Sequence, residues 1–212
     1  MTTFLLIRHA AHDLLGNTLA GRVPDVHLNA QGKLEAERLA DRLAHLPIRA
    51  IYTGPLERSQ ESAWPLAMRF MLELRVHEGF DEIDFGDWTR KTFAELENVP
   101  EWQEWNARRS TASASGGESM LHVQERIVQA LDHLSEVHAG EHVAIISHGD
   151  VIKAALLHYL GTPLDRIHQI EVSPASVTML TVEGGYGRIT LMNDSGELAP
   201  KEKPGGRRRL LR

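Results

Sequence analysis

Two short apolar runs, at residues 4–7 and 142–146, each deliver a histidine: Arg8-His9 follows the first and Ser147-His148-Gly149 follows the second. Runs this short, partly β-branched and closed by polar turn residues, read as buried strands. Between them the pattern changes period. Amphipathic helical spacing covers about 31–45 and 56–70, brief strands fit 50–52 and 73–77, and a long helix follows Gly116-Gly117 to about 138. Another helix at 151–160 is stopped by Gly161 and Pro163, and two β-rich runs at 176–182 and 188–192 flank Gly184-Gly185 as an edge hairpin. Strands alternating with helices predict an α/β three-layer sandwich, a mainly parallel sheet flanked by helices. Such sheets bind ligands beyond the carboxyl ends of their strands, where strand order reverses. Both His9 and His148 fall there.

A chain of 212 residues, 42% hydrophobic, can bury one substantial core, so residues 1–195 are expected to form a single domain. The remainder, 196–212, combines Pro, paired Gly and a run of arginines, and is expected to be a disordered basic tail. The formal charge of −6 argues against a nucleic-acid or anionic-membrane surface on the domain, so any anion must meet a local cluster of cations. The absence of cysteine excludes disulfides, thiol nucleophiles and thiolate metal sites. Arg8 and His9 interrupt the opening apolar run before it reaches the length of a signal core or membrane span, so the expected compartment is the cytoplasm.

Four segments carry candidate chemistry. In LLIRHA, a neutral imidazole at His9 can attack phosphorus while the Arg8 guanidinium holds phosphate oxygens through its planar fork. In TGPLERSQESA, Arg58 opens a helix, where exposed amides and the helix dipole also favour an anion. In GFDEIDFGDW, a carboxyl group can protonate a departing alkoxide. In AIISHGDV, Gly149 lets the backbone approach a ligand and His148 can donate to a phosphate oxygen. Taken singly, each has an ordinary structural reading: a core histidine, a surface ion pair or a solvated acidic loop. Ser147-His148 does not read as a hydrolase dyad, because neighbours at a strand end point apart. The pair His9 and His12, and His142 near His148, lack the glutamate and helical context of a zinc motif, so no metal is expected.

In this order and spacing, LLIRHA, TGPLERSQESA, EIDFGDW, the GGES at 116–119 and ISHGDV resemble the histidine phosphatase superfamily, the phosphoglycerate mutase-like family, over about residues 4–180. The resemblance implies a phosphoglycerate mutase-like fold with a small cap around 84–118. It further implies that His9 is the phosphorylated nucleophile, that Arg8, Arg58 and His148 form the phosphate pocket, and that Glu82 is the proton donor. Three positions depart from the family pattern. Ala10 stands where Gly is usual. His12 and Leu15 replace the small hydroxyl residue and the phosphate-binding Asn, leaving nearby Asn17 as a candidate ligand. Arg90 replaces a common Gly after Trp-X, where it could clash, turn to solvent or meet a second anionic group.

The expected function is hydrolysis of a small phosphorylated metabolite by a metal-independent phosphomonoesterase, with no cofactor, nucleic-acid or membrane partner, and with a homodimer left open. The alternatives are a cofactor-dependent phosphoglycerate mutase-type phosphotransferase and a catalytically silent phosphate-binding homologue. The stretch from Thr89 to Gly117 is short for the covering insertion of a mutase, and nucleophile, acid and both arginines are all present, so phosphatase ranks first. The cap segment with Trp102 and Trp105 is where substrate choice is expected to reside.

Overall fold

A computed structural model of the chain describes residues 1–196; the expectation of a disordered tail therefore falls, apart from Gly196, outside the described residues. Six strands, β1 (Thr2–Arg8), β2 (Ile48–Thr53), β3 (Leu74–Val76), β4 (His142–Ser147), β5 (Val177–Glu183) and β6 (Tyr186–Asp194), form one sheet in the order β3-β2-β4-β1-β5-β6. The first four are mutually parallel, whereas β5 and β6 form an antiparallel hairpin, with β5 against β1. Six α-helices among the described residues surround it: α1 (Ala30–Leu43), α2 (Glu57–Phe70), α3 (Phe93–Leu96), α4 (Pro100–Ala107), α5 (Met120–Val137) and α6 (Gly149–Tyr159).

The strands divide the core by side-chain alternation. Leu5 and Ile7 of β1, with Ala144 and Ile146 of β4, pack on Leu39 and Leu43 of α1 and Ala63 and Leu66 of α2. Their neighbours Phe4, Leu6, Val143 and Ile145 face the other way, onto Ile127 and Leu131 of α5 and Ile152 and Ala155 of α6. Strands covered on both faces must be apolar throughout, which is why these runs show no polar alternation.

The chain runs from β1 past one vacant position to β2 and β3, and only later returns to insert β4 between β2 and β1. The insertion pairs Arg8 with Ser147 and Thr53 with Ile146, bringing the carboxyl ends of β1, β2 and β4 together. Between β3 and α5 lie the acidic loop and the short helices α3 and α4, which stand over those strand ends. Trp105 is fully buried against Trp88 and beneath Arg109, so it anchors this cap to the core. No helix among the described residues is long and apolar enough to cross a membrane.

Candidate active site

Beyond the strand ends lies a cavity of about 390 Å³ lined by Arg8, His9, His12, Arg58, Glu82 and Gly149 at its inner end. His9 is nearly fully buried, and its Nδ1 lies 2.8 Å from the carbonyl of Ala10. A carbonyl only accepts, so the ring proton sits on Nδ1 and the lone pair is on Nε2. Burial, then the Arg58 and Arg8 guanidiniums, hold His9's pKa well below its ordinary value. The nucleophilic neutral form therefore prevails at pH 7.

The motif around Arg58 places three side chains of α2 where they serve the neighbouring turns. Arg58 is fully buried, with Nη2 donating to Gly21 O at 2.7 Å and Nε and Nη1 without partners among the described residues. Burial lowers its pKa, while Glu82 and Asp81 pull the other way; a guanidinium keeps its charge regardless. Ser59 Oγ meets Nε2 of His148 at 3.2 Å, and Ser62 Oγ accepts from the amide of Ala10 at 2.9 Å. One turn of helix thus positions both histidine turns. Arg8 is tied by Nη1 to Val172 O at 2.7 Å, leaving Nε without a partner among the described residues.

His148 is completely buried, its ring 5.0 Å from that of His9 and its Nδ1 3.4 Å from Glu82 Oε2. Burial and Arg58 lower its pKa too. Ser147 turns away and donates to Phe80 O at 2.8 Å, in keeping with the absence of a dyad. Glu82 shows the opposite shift: burial raises its pKa to about 7, against the pull of Arg58 and of the Ile83 amide on Oε1. A carboxyl group half protonated at neutral pH can both give and take a proton. Its loop is clamped by Arg126, which donates to the carbonyls of Gly79, Asp81 and Glu82 and to buried Glu118, and by Arg22, which meets Glu82 O, Asp81 and Glu118. Gly117 lies so close to this loop that a Cβ there would sit 2.4 Å from Asp84 O, and Gly116 has φ of 67°, which together account for the paired glycines before Glu118.

The remaining expectations divide. Gly149 lies against Arg8, and a Cβ there would be 3.3 Å from its Nε and Cζ. Asn17 is exposed, its side-chain amide donates to Thr18 Oγ1 at 3.4 Å, and it does not line the cavity; Leu15 does. The open reach of its loop, rather than its spacing from His9, decides that. Ala10 is buried in a small cluster with Leu28, Ala36 and Ala175, and it is absent from the residues of positive φ, so the backbone there does not require glycine. Arg90 does have φ of 69°, is exposed and stays clear of the cavity wall, which selects the solvent-facing option.

Sequence reasoning passed over several groups. His12, noted as a departure and in a pair set aside as a zinc motif, lines the cavity with its ring 5.2 Å from His9 and its Nδ1 without a hydrogen-bond partner among the described residues; burial, Arg58 and Arg8 lower its pKa to about 4. Arg109, Lys153 and His168 line the outer cavity from three separate segments. No local pattern announces such a convergence, whereas the glutamate of GGES at least had a motif.

Among the described residues, His9, Glu82 and His148 offer ligand atoms within 4.8 Å of one another. Their donor types suit a divalent ion, but the two guanidiniums that depress the histidine pKa values would equally repel such a cation and favour an anion.

The histidine phosphatase superfamily (branch 1) model matches residues 4–195. Phosphoserine phosphatase 1 of Hydrogenobacter thermophilus is 27% identical over 195 residues, 91% of this chain and 92% of its own length. A phosphoserine phosphatase of Entamoeba histolytica, solved with phosphoserine, superposes with a TM-score of 0.82 at 25% identity, covering 92% of this chain and 98% of its own. A mycobacterial glucosyl-3-phosphoglycerate phosphatase, solved with VO3, gives 0.82 at 25%, covering 90% and 98%. These relatives support a phosphatase of the histidine phosphatase type on a phosphoglycerate mutase-like fold. With the parallel strands, the paired histidine turns and the match over residues 4–195 all in agreement, the chain belongs to the histidine phosphatase superfamily.

Proposed function

We propose that this protein hydrolyses a small phosphorylated metabolite, in the cytoplasm and without a metal, through a phosphohistidine on His9. One observation carries the reading: the Nδ1 bond to Ala10 aims a buried, neutral Nε2 into a cavity that also presents Arg8, Arg58 and Glu82. Nε2 attacks phosphorus as the bond to the alcohol oxygen breaks, and the Glu82 carboxyl proton passes to that oxygen. Glu82, now a carboxylate, takes a proton from water as the water oxygen attacks phosphorus and the P–N bond breaks, giving inorganic phosphate and restoring His9. Arg8 and Arg58 balance the charge on the non-bridging oxygens, the part that Mg²⁺ takes in other phosphotransferases. His148, whose Nδ1 has no hydrogen-bond partner among the described residues, supplies a further donor from beside His9.

Relatives named as phosphoserine and glucosyl-3-phosphoglycerate phosphatases support hydrolysis over internal transfer. The test is rapid acid-free quenching with a ³²P-labelled phosphomonoester. A base-stable, acid-labile label is expected on the wild type and none on His9→Ala, with phosphate released at the same rate after exhaustive chelation. Return of the label to a second hydroxyl compound instead of water would assign a mutase, loss of activity on chelation would remove metal independence, and absence of any label would leave a silent binder.

A further inference from the structure

At the corner where α2 runs into β3, an apolar stripe lies open to water. Trp64, Met68 and Met71 follow at i, i+4 and i+7 along α2 and its C-cap, so they share one flank, and they are 59%, 62% and 92% exposed. The opposite flank serves α1 and the turn before it, through Arg69 to Asp41 and Glu61 to the Leu28 amide. Met71 has φ of 53°, a helix-ending conformation usually given to Gly or Asn, so an apolar side chain is held in water at a strained position. The chain then enters β3, where Val76 is 52% exposed.

Strand β3 ends the sheet and pairs, among the described residues, with β2 alone. The His77 amide donates to Thr53 O at 2.9 Å, and alternation along a parallel ladder then turns the amides and carbonyls of Leu74 and Val76 outward. Leu72 and Leu74 pack towards the layer of α1 and α2, whereas Arg75 takes the other face, its Nη1 donating to Tyr52 Oη at 3.2 Å. Sheet edges are commonly blunted by bulges. At the far edge, β6 has two register shifts against β5, but the pairing of β3 has none.

We propose that this corner binds a second copy of the chain, with the two β3 strands antiparallel about a two-fold axis at Leu74. The segment from Leu72 to Val76 reads LELRV, which complements itself at that register. The Leu74 pair exchanges two main-chain bonds, Glu73 stands opposite the partner's Arg75 on one face, and Leu72 stands opposite the partner's Val76 on the other. Other centres fail. An axis at Glu73 or at Arg75 sets like charges directly opposite, and one at Val76 sets Leu74 against the partner's Glu78. Residues opposite one another in an antiparallel pair keep to one face, so both copies of α2 lie on the same side of the joined sheet. Trp64, Met68 and Met71 of each copy then cover the junction, and the contact closes as a two-fold dimer.

Sedimentation equilibrium of the full chain tests this without any substrate, so its outcome is independent of the phosphatase reading. The wild type is expected at twice the chain mass. Glu73→Arg and Arg75→Glu should each weaken association about tenfold or more, because each turns two opposed ion pairs into two like-charge pairs. Combining them should restore association to near the wild-type level, since the ion pairs re-form with their signs exchanged. Trp64→Glu should yield a monomer. Met71→Gly, which suits the backbone at φ of 53°, should weaken association while far-ultraviolet circular dichroism stays unchanged, separating loss of the contact from loss of the fold. A wild-type monomer at the highest soluble concentration, which would leave the corner to an unlike partner, would overturn the proposal. So would a dimer indifferent to Trp64→Glu, or a double variant that associates no better than either single one.

Discussion

Replacing Glu82 by Gln isolates the proposed proton donor without removing the side chain's structural contact. Glutamine keeps an oxygen for the Ile83 amide, which donates to Glu82 Oε1 at 3.0 Å, and adds no charge to a buried position. For an alkyl phosphate the departing oxygen needs a proton, and a positioned acid contributes ~10²–10⁴-fold, so kcat/KM should fall by at least about 100-fold. For p-nitrophenyl phosphate, whose leaving group departs as a stable anion, the loss should stay below about tenfold. The pH profile gives an independent reading. With Glu82 at about 7, the donor is half ionised at neutral pH. Its raised pKa means that the active, protonated form is present below about 7 and declines about tenfold per unit above it. His9, whose pKa is depressed, limits activity only in more acidic solution, together with the substrate's own second ionisation near ~6. Steady-state kinetics across pH 4–10 on the two substrate types, about six units in all, would show a bell for the alkyl substrate and loss of its alkaline limb in Glu82→Gln. Equal losses for both substrates, or an alkaline limb that survives the substitution, would refute Glu82 as the acid.

Three further outcomes follow from packing and backbone geometry. Arg90→Gly should raise stability by about 1 kcal/mol, read as a higher denaturant midpoint, because a non-glycine residue held at φ of 69° is strained; no gain would mean that Arg90's side chain compensates. Gly149→Ala should lower kcat/KM about tenfold on every phosphomonoester, since its methyl group must displace the Arg8 guanidinium, and unchanged kinetics would show that Arg8 has room to yield. Arg126→Met should cost about 3 kcal/mol in chemical denaturation, because three carbonyls and the buried Glu118 lose their shared cation; a loss under about 1 kcal/mol would assign the loop's hold to Arg22.

Local chemistry fixed a good deal. The periods of the apolar residues mark the strands and helices now seen, because side-chain alternation and helical repeat are short-range consequences of backbone geometry. The same runs end where β1 delivers Arg8 and His9 and where β4 delivers His148, and the motif around Arg58 falls on the first turn of α2. That these side chains meet depended on β4 entering between β2 and β1, a long-range pairing that no local window contains. Spacing put Leu15 at the ligand position and mere nearness offered Asn17, and only the path of the loop left the Asn17 side chain exposed and off the cavity wall.

The electrostatic character of the site was likewise a tertiary outcome. A histidine and a glutamate have ordinary titrations in an extended chain; here burial moves His9 down and Glu82 up, setting base and acid forms side by side at one pH. The outer wall makes the same point, because Arg109, Lys153 and His168 come from the cap, from α6 and from the turn beyond it. The order of residues determined which chemistry was available. The fold decided which groups lost their water and which charges they then faced, because desolvation and Coulombic coupling depend on distance in space and not on separation along the chain.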